Sequence, residues 1–552
     1  MSWLTALNLN FKSRKSSSVL LDRLFTNGNL KGIDYNKSSN IAAAYDLTKK
    51  QLKKLLEEEN IAIKDFTEYL LTRVKILRVP VPHDTNLNHY FEIMNTRGEQ
   101  LEKHEIVKAK LLEAFSDLPV SERNSVTNTF NKIWDATSNM ERYLQYGFTI
   151  AQRTAIFGKS DWGHLEVNSF DDLNNNIGKK QEDGKESNAL SIEDIIASNN
   201  QSKESDETDD NPVRFYSVVN FENFLLHVLR LMKGASKDIP LDDKRLISIF
   251  DKELKDAPDK AEFVKTFCFE LFRTKFLFDK YIIKREFIGG KDHWSLKRLK
   301  WYDGANVSYL NTFGSEDDTT NKSDNRKLIM LLSMFHVSTP TMVYKHWLSA
   351  ALKFPFNESD SKGVISSIEY IDYLEETANL FVLGRHLRSK DSLEYHEMIF
   401  KKEMIPPLTW HQVDEQKLTF GNISNNLLFN YIDYLYWKTL DTNDEKINKY
   451  EFSYRSSVEH YYPQNPMEGG VKKLTSTTDI QALNCIGNLC LISHSKNSRL
   501  SNFSPLQKVE FYSNNIDSIK QYLMMKKGKD WNVMAIKEHE QDIIKLLKST
   551  VL

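Results

Sequence analysis

Cysteine is scarce in this sequence: Cys268, Cys485 and Cys490 are the only three among 552 residues. An odd, sparse set excludes the disulfide framework of a secreted domain, and Cys485 and Cys490 have no second pair with which to complete a zinc site. All three are expected to be reduced and packed. Long apolar runs are missing too, since no stretch approaches the ~20 residues a membrane span requires. The opening MSWLTALNLNFKSRKSSS has no charged region followed by a sustained apolar core. A cytoplasmic protein with no membrane partner is therefore expected. Charge of one sign is also lacking, with 74 Lys+Arg against 76 Asp+Glu. That excludes a strongly basic bulk field, although a nuclease needs only a local basic surface over an acidic metal site. No phosphate loop, no G-x-G-x-x-G opening a helix and no H-E-x-x-H occurs; FIGGKDH shares only a Gly-Lys pair with the phosphate loop.

What is present is ample core material, 40% hydrophobic and 11% aromatic, in a chain longer than one core usually organises. Helical periodicity dominates. In NFENFLLHVLRLMK, residues Phe221, Phe224, Leu225, Val228, Leu229 and Met232 form one apolar helical face. DKRLISIFDKEL, NRKLIMLLSMFHV and SIEYIDYLEETANLFVLGRHL read likewise. Strand candidates are few: RVKILRVPVP (Arg73 to Pro82), closed by prolines, and NCIGNLCLIS. From about 159 to 211 the chain is rich in Asn, Ser, Asp, Glu and Lys, too polar to offset its ordering entropy, and a mobile insertion is expected there. The basic, aromatic KYIIKREFIGGKDHWSLKRLKWY reads equally well as a surface for a phosphate backbone or as a solvated helix face with aromatic anchors.

HYFEIMNTRGEQLEKHEIVKAKLLEAF (His89 to Phe115) sets a polar break, Asn95-Thr96-Arg97-Gly98, between two apolar helical faces. A helix C-cap explains that spacing by itself. The string also resembles the F-x-x-x-N-x-R-G-x-x-L signature of the DUF262 family, the N-terminal domain of GmrSD-type restriction proteins. NFENFLLHVLRLM, FLFDKYIIKREF and YLNTFG extend the likeness in order. The resemblance implies a ParB-like fold and makes Asn95 and Arg97 candidates for contact with a ligand. The family's Asp-Gly-Gln-Gln-Arg nucleotide motif is absent from the chain, so a nucleotide is expected only with a protein partner that supplies the missing N-terminal segment.

In SVEHYYPQNP, Val458-Glu459-His460 is expected to end a strand, and Gly487-Asn488-Leu489 to lead a second one. Asn497 follows at the start of KNSRLSN, a polar, helix-prone stretch. Phosphodiester cleavage needs a base to activate water and a divalent ion to stabilise charge on phosphate. Histidine suits the first role, and carboxylate and amide oxygens suit Mg²⁺. Glu538-His539, the other Glu-His pair, reads as an exposed helix with nothing useful around it. VEHYYPQ, GNLCLIS, KN and the following lysine resemble DUF1524, the C-terminal HNH-type domain of GmrSD-like enzymes. The resemblance implies His460 as general base, Glu459 and Asn497 as ligands of Mg²⁺ (or Mn²⁺), Asn488 as a brace orienting the imidazole, and Lys508 near phosphate or the metal-site carboxylate. Tyr461-Tyr462 depart from the family's usual aliphatic pair.

The expected fold class is mainly α and multi-domain. It comprises the remnant of an α+β ParB-like domain over 1–115, a helical region over 116–400, and a domain over 405–552 with a ββα-metal (HNH) finger embedded in helices. The expected function is metal-dependent cleavage of DNA, modified DNA included, in a restriction system acting against phage. The rival is a non-catalytic DNA-binding or nucleotide-responsive subunit.

Overall fold

The computed structural model describes residues 15–27, 39–59, 61–74, 102–178, 214–288, 290–303, 306–315, 322–440, 443–468, 470–494, 496–497, 502–512 and 516–551. Helix dominates, and the chain divides into two compact units, Met1–Leu87 and Asn88–Leu552. Asn95, Arg97 and all but the first two residues of the expected Arg73–Pro82 strand lie outside the described residues.

In the first unit, helices Lys15–Asn27 and Ser39–Glu58 meet through Leu20 and Ala42, with Leu24, Ile41 and Tyr45 packed around them. Helix Ile63–Thr72 buries no residue. The division between units falls at 87/88, not at the expected 115, because Val107, Leu111 and Phe115 are fully buried in the core of the second unit.

The second unit is built on capped helices. Asn220, Asp259, Ser323 and Ser366 each accept a hydrogen bond from a first-turn N–H of the helix that follows, Phe221–Lys233, Lys260–Tyr281, Asp324–Ser338 and Ser367–Asn379 respectively. The apolar face of Phe221–Lys233 is buried as its periodicity requires. The opposite side is buried as well, His227 and Arg230 included, because the helix packs against both Lys260–Tyr281 and His346–Glu358. One hydrophobic core runs from Val107 to Leu547 and takes in Leu489, Leu491, Ile519 and Ile543. The expected boundary near 400–405 is therefore not a structural division: C-terminal helices share the core of the middle ones.

Two further expectations change. The polar insertion starts later than residue 159, for Trp162, Leu165, Val167, Phe170 and Leu173 are buried in that same core and Ser169 caps the Phe170–Ile177 helix. These scattered apolar residues suffice to anchor 159–178, and residues 179–213 fall outside the described set. The basic aromatic segment is not a helix face. After β1 (Phe215–Tyr216) it supplies β2 (Lys284–Ile288), β3 (Lys291–Ser295) and β4 (Lys297–Asp303), the last paired with β5 (Asn306–Asn311). Gly290 at φ +76° lies in the β2–β3 turn. Most of its bases have acidic partners: Lys284 with Asp279 at 2.7 Å, Arg285 with Asp292 at 2.6 Å, Lys297 with Glu286 at 2.8 Å and Arg298 with Asp161 at 3.0 Å. That pairing offsets part of the positive charge a phosphate backbone would meet. No helix among the described residues is long and apolar enough to cross a membrane.

Candidate functional site

The remaining strands are β6 (Ser457–His460) and β7 (Leu489–Ile492), an antiparallel pair with His460 opposite Leu489 and Glu459 opposite Cys490. Both expected strands are present at the expected residues. All of β7 is buried, and under the hairpin lies a small second core of Tyr461, Tyr462, Cys490, Ile492, Met524, Trp531 and Ile536. Bulky rings in place of an aliphatic pair are accommodated there, Tyr461 standing edge-on to Trp531 with ring centroids 5.5 Å apart. The three cysteines are buried and free; burial pushes the Cys485 and Cys490 thiols up to about 11 and about 12, so neither is a thiolate.

Asn488 is wholly buried and fully bonded. Its Oδ1 accepts from the Tyr462 N–H at 2.8 Å and from the Trp531 indole N–H at 3.2 Å, while Nδ2 donates to Leu483 and Tyr462 carbonyls at 2.9 and 3.1 Å. A side chain with every polar atom engaged has nothing left for a substrate. Asn488 braces the turn just after His460. Gly487, before it, allows a close approach: a Cβ there would stand 2.3 Å from the Ile536 carbonyl oxygen on helix Val533–Lys548. The Lys520 amino group, itself buried, donates to the carbonyls of Ile486 (2.6 Å) and Leu489.

Lys508, on helix Pro505–Tyr512, points inward. Its amino group donates to Glu459 Oε1 at 2.5 Å and to the carbonyls of His460 and Tyr461 at 2.8 and 3.0 Å, and the residue is 1% exposed. Lys508 thus lies against the Glu459 carboxylate. Burial pushes the Glu459 carboxyl up, and Lys508 offsets only part of that. No described residue hydrogen-bonds the other carboxylate oxygen, Oε2.

His460 is 8% exposed. Its Nε2 lies 3.0 Å from Asn484 Oδ1, and the Gln464 amide donates to the same oxygen at 3.3 Å. The ring of Phe420 stands edge-on to the imidazole with centroids 4.4 Å apart. Burial lowers the imidazole pKa, the Asn484 bond opposes this and Lys508 adds to it; the net shift is downward, so the ring is neutral at pH 7. Asn484 and Phe420 carried no signal in the sequence, being an amide at a helix end and an aromatic in a turn.

Asn497 follows β7 on a helical turn, its N–H bonded to the Ser493 carbonyl at 3.0 Å. Asp517 anchors that turn, accepting from the Ser493 N–H at 2.9 Å and from Lys496 at 2.8 Å. Burial pushes the Asp517 carboxyl up, but Arg455, Lys496 and the Ser493 N–H outweigh it and hold it below its ordinary range. The structure thus joins Glu459, Lys508 and the His460 backbone in one hydrogen-bonded cluster, with Asn488 bracing the turn beyond. Among the described residues no hydrogen bond links Asn497 to them.

The second Glu-His pair departs from expectation. Val533–Lys548 is a helix, but His539 is buried, with Nδ1 2.9 Å from the Gly487 carbonyl and Nε2 3.3 Å from the Tyr436 hydroxyl. Burial drives it down to about 3. It packs there because the turn that Gly487 opens needs a donor for its carbonyl. Elsewhere, among the described residues, Glu102, His104 and Glu222 bring three potential ligand atoms within 4.8 Å, with His104 Nδ1 2.8 Å from Glu222. Burial lowers the His104 pKa but the Glu222 contacts outweigh it, so the net shift is upward.

No curated protein and no solved structure matches the chain. Residues 410–546 match one family model, described as GmrSD restriction endonucleases, C-terminal domain; the segment that carries His460, Glu459, Asn488 and Lys508 is thus similar to the C-terminal domain of GmrSD restriction endonucleases.

Proposed function

We propose that this protein is an endonuclease of a GmrSD-like restriction system that hydrolyses DNA phosphodiesters, modified DNA included, at an HNH-type site on the β6–β7 hairpin. The observation that carries the reading is a neutral imidazole with Nε2 engaged by Asn484 and Nδ1 bonded by no described residue, beside a carboxylate with one oxygen bonded by no described residue, inside the segment similar to a restriction endonuclease domain.

His460 Nδ1 takes a proton from the attacking water, and the imidazole's lowered pKa keeps it in the proton-accepting form at neutral pH. Glu459 and Asn497 would hold a Mg²⁺ ion: both offer hard oxygen donors, and Lys508 leaves Glu459 Oε2 available. A bound Mg²⁺ would stabilise the charge that builds on the phosphate and leaving oxygen. Lys508 keeps the buried Glu459 in place, and Asn488 holds the turn after His460 rigid, so that neither needs to touch DNA.

The test is nicking of plain and modified plasmid in Mg²⁺ by the wild-type protein and by His460→Ala. Cleavage that needs both the metal and His460 supports the reading. Equal cleavage by the two proteins overturns it, and binding without turnover on every substrate favours the non-catalytic DNA-binding subunit.

A further inference from the structure

An imidazole acts as a base through whichever nitrogen lacks a proton, and that choice is set by the hydrogen bond at the other nitrogen. Resting on the nuclease reading above, we propose that Asn484 is the positioning residue that fixes His460 with its proton on Nε2, leaving the Nδ1 lone pair as the base.

The geometry argues this from several sides. Asn484 Oδ1 is an acceptor, and the Gln464 amide donates to it at 3.3 Å. The His460 nitrogen 3.0 Å away must then be an N–H. Among the described residues, no other side chain hydrogen-bonds the His460 ring. Asn484 is itself held by its backbone. It ends the Thr477–Asn484 helix, its carbonyl accepts from the Phe420 N–H at 2.8 Å, and Thr419 bridges to Cys485 next door. The same strand contact brings up Phe420, whose ring is 44% exposed and stands at 63° to the imidazole. Gly421, at φ +87°, turns the chain immediately afterwards. The imidazole is thereby fixed at one edge by a hydrogen bond and on its flank by an aromatic ring, and no described residue bonds Nδ1. Asn484 touches His460 and not the reacting atoms, so its effect is exerted on turnover and not on substrate affinity.

The experiment uses the full chain with ¹⁵N-labelled histidine rings, and assigns His460 by the signal lost in His460→Gln. In the wild type, His460 is expected as the single tautomer protonated at Nε2. Asn484→Leu, which keeps the size and removes the acceptor, should give a mixture of tautomers. Asn484→Asp, which keeps an acceptor, should restore the single form. In plasmid cleavage, Asn484→Leu should lower kcat by at least ~10-fold with KM changed by less than ~2-fold, and Asn484→Asp should recover most of that loss, in line with the size of general-base contributions. A single Nε2–H tautomer retained in Asn484→Leu, or unchanged kcat, overturns the proposal. If the wild type cuts no DNA, the nuclease reading falls, and the ring spectra still decide whether Asn484 sets the tautomer.

Discussion

Glu459-His460 and Glu538-His539 are the same dipeptide in two settings, and both histidines are buried. His539 sits on a helix with both ring nitrogens engaged, one at the Gly487 carbonyl and one at the Tyr436 hydroxyl. His460 ends a strand and, among the described residues, has one nitrogen engaged. Their acidic neighbours differ too. Glu459 is buried under Lys508, whereas the Glu538 side chain is 62% exposed beside Lys527 at 3.6 Å. The difference teaches that burial alone does not distinguish the two histidines; the number of ring nitrogens bonded among the described residues does. The two are also physically connected, since His539 supports the turn that leads to β7, the partner strand of His460.

Breaking each histidine in turn should separate the roles. His460→Ala should reduce cleavage by ~10²–10⁴-fold, the range of a lost general base, with thermal stability changed by no more than about 1 kcal/mol. Matched plasmid-nicking and melting curves check both. Next in size is Lys508→Met. Removing one member of a buried ion pair typically costs about 3–5 kcal/mol, and here two strand-end carbonyls also lose their donor. A denaturant titration of the variant should show that loss, and pairing it with Glu459→Gln should recover part of the stability but no cleavage. His539→Ala should act oppositely to His460→Ala. It should cost about 1–3 kcal/mol for the unsatisfied groups it leaves, while the fraction that remains folded still cuts. Gly487→Ala should resemble it, at about 1–3 kcal/mol for overpacking against the Ile536 carbonyl.

The smallest effect concerns pH. Burial holds His539 and His346 down to about 3 and His386 down to about 4 in the folded protein, below the ~6.5 of an unfolded histidine. Between those values the unfolded chain binds more protons, so this contribution is full above pH ~6.5 and is lost as pH falls through the folded values. Melting temperature should therefore drop on acidification from pH 7 to pH 4. His539→Gln should show a shallower drop than the wild type.

Much of the scaffold was legible in the sequence because its signals are local. The apolar spacing of Phe221 to Met232 fixes a helix whatever surrounds it. The strands Val458–His460 and Leu489–Ile492 could be read from apolar runs bounded by turn residues. The β2–β4 segment could not, since alternating Lys, Arg and aromatic residues resemble a solvated helix face until Asp279, Glu286 and Asp161 are seen to neutralise them. Asp279 and Asp161 lie outside the segment, and only Glu286 belongs to it, on β2.

The sequence by itself determined that this is a mainly helical chain with a strand ending in Glu-His and a second strand led by Gly-Asn, because helix periodicity, caps and turn residues act over a few positions. It also determined which residue types are on hand for phosphodiester chemistry. Only the tertiary structure decided that Lys508 faces Glu459, that Asn488 is consumed in bracing a turn, that Asn484 meets His460 across 24 residues of chain, and that His539 is buried. These are contacts between segments distant in sequence. Burial there removes the water that would otherwise satisfy each group, so its role is set by whichever partner the packing brings within hydrogen-bond reach.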